Sequence, residues 1–163
     1  MGRYRAPLPR SSKYITRAGF ERLSAELKDI WVRRAVVTEH LAAAAAEGDR
    51  SENAEYIYRK KELAGLDRRI RYLQKRLPDL KVVDRRADNK QVFFGACVEL
   101  EKDGGEELII NIVGADEIDA SLNRVSIDSP LALALMKKTI DDEVTIEVAG
   151  KRMTYCVIGI SYP

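Results

Sequence analysis

A chain of 163 residues, 45% hydrophobic and 33% charged, has room for one ordinary domain, or for a small globular domain with an appendage that has no core of its own. No apolar run of about 18 residues is present to span a membrane, and the arginine-rich first 17 residues lead into no apolar core of a signal peptide. A cytoplasmic protein without membrane contact is expected.

The net charge of +2 hides an asymmetry: residues 1–90 hold 22 Lys and Arg against 13 Asp and Glu, whereas residues 91–163 hold 6 against 13. A basic half joined to an acidic half suggests that only the first meets a polyanion. Cys97 and Cys156 both sit in apolar, strand-like runs without the spacing of a zinc site, and read as buried inert thiols. With His40 the single histidine, any catalytic chemistry must run on carboxylates.

In chain order, residues 1–13 form a basic extension carrying Pro7 and Pro9. From residue 14 to residue 80 two helices are expected, the first capped by Thr16. Apolar residues recur at Phe20, Leu23, Leu27, Ile30, Val37, Leu41 and Ala44, a heptad seam interrupted at Arg34. A second seam runs through Tyr56, Leu63, Leu66, Ile70, Leu73, Leu77 and Leu80, interrupted at Arg59. Pairing the seams antiparallel gives partners whose numbers always add to 100, from Phe20 with Leu80 to Ala44 with Tyr56. The hairpin therefore turns at residue 50, and thirty residues of helix make an arm about 45 Å long.

The stretch "EGDRSENAEY", residues 47–56, is then the tip, with Gly48 suited to closing the first helix and Pro78 to ending the second. Asp49 and Glu52 have a plain reading as a capping box. The other reading follows from their position, since two acids at the far end of a basic arm can complete a metal site half built by a partner. Beside the tip, Lys61, Arg68 and Lys75 form one stripe, and Arg69 and Arg76 another nearer the seam. A solvated coiled-coil flank is the plain reading. Phosphate contact explains better a stripe that faces few acids, with Tyr58 offering a stacking surface.

Residues 81–91 read as a linker, and residues 92–163 as a small α+β domain. "VFFGACVELE", "EELIINIV", "DEVTIEVA" and "RMTYCVIGISY" are strands, with turns at Asp103-Gly104-Gly105 and Ala149-Gly150. "DSPLALALMKK" is a short helix with Ser129 at its N-cap and Pro130 at its first position. An antiparallel sheet or barrel is expected, without a nucleotide-binding glycine loop, and suited to docking.

The motifs "GDRSENAEY", "IYRKKEL", "DRRIRYL", "VFFGACVELE", "IVGADEID" and "SIDSPLALALMKK" resemble the bacterial Gre transcript-cleavage factors, most of all the GreB type, over Tyr14 to Tyr162. The pair Arg50-Ser51 and the dense basic patch favour that type. The resemblance implies an antiparallel coiled coil that enters the secondary channel of RNA polymerase and an FKBP-like domain that docks at its mouth. Asp49 and Glu52 would then be the catalytic acids, supporting a second Mg²⁺ shared with the polymerase and the hydrolytic water. Lys60, Lys61, Arg68 and Arg69 would meet the 3′ segment of the nascent RNA, and Asp128, Ser129 and Pro130 would dock on the polymerase. The protein would be a monomeric accessory factor rather than an enzyme, holding no cofactor by itself. The extension of about ten residues beyond the usual start departs from the pattern, and the alanines at 42–46 make the upper arm slim. A relative that occupies the channel without stimulating cleavage is the alternative. A prolyl isomerase with a helical handle is a third reading, disfavoured because 7% aromatic content leaves little for a proline pocket.

Overall fold

The structure is a computed structural model and describes residues 11–46, 53–84 and 88–163. Two compact units emerge: Ala18–Leu80, and a globular unit made of the residues up to Arg17 together with Lys81–Pro163. The helical hairpin is thus inserted into the globular unit. Residues 14–17 and 81–83 belong to that unit, not to the hairpin and a linker, because Tyr14–Thr16 (β1) pairs in parallel with Lys81–Val83 (β2).

The hairpin consists of α1 (Arg17–Ala46) and α2 (Ala54–Arg76). Leu23, Val37 and Ala44 of α1 and Ile70 and Leu73 of α2 are buried, and every other position of the two seams is half-buried. Both arginines that interrupt the seam are neutralised within it. Arg34 Nε donates to Asp67 Oδ1 at 2.6 Å, and Arg59 donates to Glu55 at 2.7 Å and to Glu62 at 3.1 Å. Two further ion pairs cross between the helices, Arg33 with Glu62 and Arg69 with Glu26, the latter through two bonds of 2.6 and 2.8 Å. In each pair both partners immediately precede a seam residue. Such positions face each other when seam partners add to 100. Helix α2 stops at Arg76 and continues as a single 3₁₀ turn over Leu77–Asp79, because Pro78 has no N–H with which to prolong it.

In the globular unit five strands form a mixed sheet in the order β5-β4-β3-β7-β6: β3 Cys97–Lys102, β4 Glu107–Val113, β5 Arg124–Ser126, β6 Glu143–Val148 and β7 Lys151–Ser161. All neighbours are antiparallel except β5, which runs parallel to β4. The first expected strand begins at Cys97 rather than Val92, since a turn with Gly95 at φ +84° comes before it. One face alternates Val98, Leu100, Ile110, Ile112, Val144, Ile146, Tyr155 and Val157 inward. The short helix α3 (Pro130–Leu135) covers that face with Ala132 and Leu135. Tyr162 ties the end of the chain to the start of this core, its hydroxyl donating to the Gln91 carbonyl at 2.7 Å and accepting from the Phe93 amide at 3.0 Å. Cys97 and Cys156 are free and half-buried, not fully buried as expected. Partial burial and the nearby carboxylates of Glu143, Asp141, Glu101 and Asp142 push the Cys156 thiol up from its ordinary pKa, which keeps it protonated.

Two predictions follow from this geometry. Ala149 opens the two-residue turn between β6 and β7 at φ +51°, with Gly150 at +76°; Ala149→Asn should raise unfolding stability in urea by about 0.5–1 kcal/mol, because Asn tolerates that conformation better. The hydrogen bonds from Arg69 hold the Glu26 carboxyl below its ordinary 4.5. A lowered carboxylate pKa contributes stability above the unfolded value and loses it as pH falls through the folded one. The difference in melting temperature between wild type and Glu26→Gln should therefore be largest near neutral pH and shrink below about pH 4.5.

Candidate nucleic-acid and polymerase interface

At the far end of the hairpin the two helix ends are held together by one side chain. Asn53 is the N-cap of α2, its Oδ1 accepting from the Tyr56 amide at 3.0 Å, while its Nδ2 donates to the Ala44 carbonyl of α1 at 2.9 Å. An amide suits this place because it offers an acceptor and a donor on opposite sides. Asp49, Glu52 and Gly48 themselves lie outside the described residues; they belong to the six-residue segment that joins Ala46 to Asn53.

The basic residues of α2 fall into two groups. Lys61, Arg68 and Lys75, seven apart, are exposed on the face turned away from the seam, and among the described residues none of them has an ion-pair partner. Lys60 is also exposed, with its ammonium 6.0 Å from the centre of the Tyr56 ring. Arg69 differs, being engaged by Glu26 and lying 5.3 Å from the centre of the Tyr72 ring. The acid that neutralises it comes from the lower half of α1, out of reach of a count confined to the tip. Tyr58 is exposed and lies under Arg59 at 5.4 Å, so one face of its ring already carries a cation.

On the globular unit, Asp128, Ser129 and Pro130 form the turn into α3. Ser129 Oγ accepts from the Ala132 amide at 3.2 Å, and Pro130 occupies the first helical position. Exposed Asp128 is braced by its own amide, which donates to Ser126 Oγ at 3.1 Å. Its carboxylate accepts from the Ser12 amide at 2.8 Å. Sequence reasoning did not single out Glu117, which is buried in the "IVGADEID" stretch. Among the described residues no group of three or more His, Cys, Asp or Glu side chains could hold a metal ion, and no helix is long and apolar enough to cross a membrane.

Comparison with known proteins places both units. The family model for the N-terminal part of transcription elongation factors GreA and GreB matches residues 13–82, and the model for their C-terminal part matches residues 87–162. Transcription elongation factor GreB of Xanthomonas axonopodis is 54% identical, covering 99% of this chain and 98% of that protein. The GreB of Pseudomonas aeruginosa is 50% identical over 100% and 98%. Among solved structures, GreA factor homolog 1 of Thermus thermophilus is similar at 24% identity and a TM-score of 0.42, covering 91% of this chain and 97% of that one. A GreA/GreB factor of Nitrosomonas europaea is similar at 20% identity and 0.42, over 93% and 100%. With both family models filling nearly the whole length and relatives at half identity end to end, the chain belongs to the GreA/GreB family of transcription elongation factors, and within it to the GreB type.

Proposed function

We infer that this elongation factor binds RNA polymerase, inserts its hairpin into the secondary channel, and stimulates the polymerase to cut its own backtracked RNA, leaving a fresh 3′ end. The observation that carries the reading is the closure of the hairpin at Asn53 and Ala44. It brings together the two helix ends between which Asp49 and Glu52 fall in the sequence, a position that supports the reading. A carboxylate pair delivered there suits a phosphodiester and a Mg²⁺ already held by the polymerase, where a second Mg²⁺ would stabilise the charge developing on the attacking and leaving oxygens. Asp49 would help hold that ion, and Glu52 would orient or deprotonate the attacking water.

Lys60, Lys61, Arg68 and Arg69 would follow the extruded RNA 3′ segment. The exposed charges of Lys61 and Arg68 support this, because an uncompensated cation gains most from a phosphate by releasing its counterions. The turn of Asp128, Ser129 and Pro130 would dock on the rim of the channel. The factor would contribute groups to a reaction centre that the polymerase owns, and would cleave nothing by itself.

Stalled, backtracked transcription complexes with end-labelled RNA test the reading. Wild type should shorten the RNA, and Asp49→Ala or Glu52→Ala should slow that shortening about 100-fold or more; cleavage by both variants at the wild-type rate would exclude the roles assigned. Lys61→Ala and Arg68→Ala should each weaken single-stranded RNA binding and flatten the dependence of log affinity on log salt by about 0.7, as measured by fluorescence anisotropy between low and physiological salt.

A further inference from the structure

Along the outer face of α2 the side chains repeat every seven residues. Lys61, Arg68 and Lys75 form the basic stripe, and the positions three and four residues on from each cation lie on the same face. Between Arg68 and Lys75 those positions hold Arg71 and Tyr72, and one heptad before the gap that follows Lys61 they hold Ile57 and Tyr58, all of them exposed. Between Lys61 and Arg68 they hold Ala64 and Gly65. Gly65 stands in the interior of a 23-residue helix, where glycine is the poorest residue after proline. Close packing does not require it there: among the described residues, a Cβ on Gly65 would meet nothing within 4 Å. Contacts inside the hairpin therefore do not account for the missing side chain.

What its absence does change is how near a row of phosphates can come to the helix between the two cations. Lys61 and Arg68 are roughly 10 Å apart along the axis. One strand can meet both only if the stretch between its two phosphates lies against the helix surface. We propose that Gly65 is a specificity-determining residue of the RNA surface: by leaving the helix bare between Lys61 and Arg68, it lets a single strand settle there with a phosphate on each cation. Tyr58, 58% exposed and one turn before Lys61, stands at the end of this gap with the Arg59 guanidinium 5.4 Å from its ring centre. It offers the base beyond the gap an aromatic ring to stack on. A duplex is a stiff rod that cannot settle into a gap one residue wide, so the gap favours a single strand. The inference rests on the RNA contact proposed above.

Uncharged substitutions separate space from charge. Gly65→Ala and Gly65→Leu put better helix formers into an open position, so each should raise the urea midpoint of the full-length protein. Gly65→Leu should nonetheless weaken binding of a dye-labelled single-stranded oligouridylate, read by fluorescence anisotropy. It should also flatten the dependence of log affinity on log salt by up to about 1.4, the share of two phosphate contacts, although it removes no charge. Gly65→Ala should fall between wild type and Gly65→Leu. A duplex RNA of the same length should bind all three proteins alike. Adding Lys61→Ala to Gly65→Leu should cost less affinity than Lys61→Ala costs wild type, because the same contact cannot be lost twice.

Single-strand affinity and salt slope at wild-type values in Gly65→Leu, or single strand and duplex weakened equally, overturn the proposal. A loss of affinity for RNA polymerase with RNA affinity intact overturns it too, since the gap would then receive a protein surface. If circular dichroism shows that Gly65→Leu does not fold, Gly65→Ala decides by the same affinity and slope. Lys61→Ala and Arg68→Ala keep the two levels apart. If they leave RNA binding at the wild-type level, the RNA reading of the stripe falls and this inference with it; if they weaken it and Gly65→Leu does not, only the inference falls.

Discussion

The seam between α1 and α2 carries the rest of the architecture, because the hairpin is an insertion between two strands of the globular unit. Both ends of the inserted segment must return to one place. β1 ends at Thr16, β2 begins at Lys81, and the two strands lie side by side in parallel. An antiparallel seam meets that demand at every layer, from Leu23 near the root to Ala44 near the tip. A shift by one heptad would leave an apolar side chain unpartnered at each end and pull β1 out of line with β2. The ion pairs of Arg33 with Glu62 and Arg69 with Glu26 discriminate against such a shift, since it would set their charges against the wrong partners. Individually, such half-exposed pairs contribute little stability.

The same alignment sorts the positive charge of α2 into two kinds. Cations beside the seam, Arg59 and Arg69, face acids and are neutralised within the hairpin. Cations on the outer stripe, Lys61, Arg68 and Lys75, face only solvent, which leaves them available to phosphates. The charge of that outer stripe, left without ion pairs among the described residues, lies along one line parallel to the helix axis.

The globular unit presents the opposite field. On the face of the sheet away from α3, Glu99, Glu101, Glu107, Glu143 and Glu147 are exposed, and among the described residues none of them has an ion pair. Glu101 stands directly opposite Glu107 on one side and Cys156 on the other. Like charges across strands oppose folding, and this acidic row contributes to the raised Cys156 pKa. Such a face is unfavourable to polyanions, in contrast to the outer stripe of α2.

Local pattern alone determined much of this molecule. The two seams, their antiparallel alignment, the strands from β3 to β7 and the cap of α3 by Ser129 all follow from periodicities of 3.5 and 2 and from the chemistry of caps and turns, which act over a few residues. The outer basic stripe was legible for the same reason, as were the family motifs. Asn53 carries a local signal too, as an amide standing immediately before a helix. What tertiary structure alone decided are pairings between residues far apart in the chain: β1 with β2, Arg69 with Glu26, and Glu117 with Thr16, about a hundred residues away. No periodicity encodes such contacts. A glutamate in an ordinary loop reads as solvated surface, and Glu117 is buried only because folding brings two donors of residue 16 onto its carboxylate.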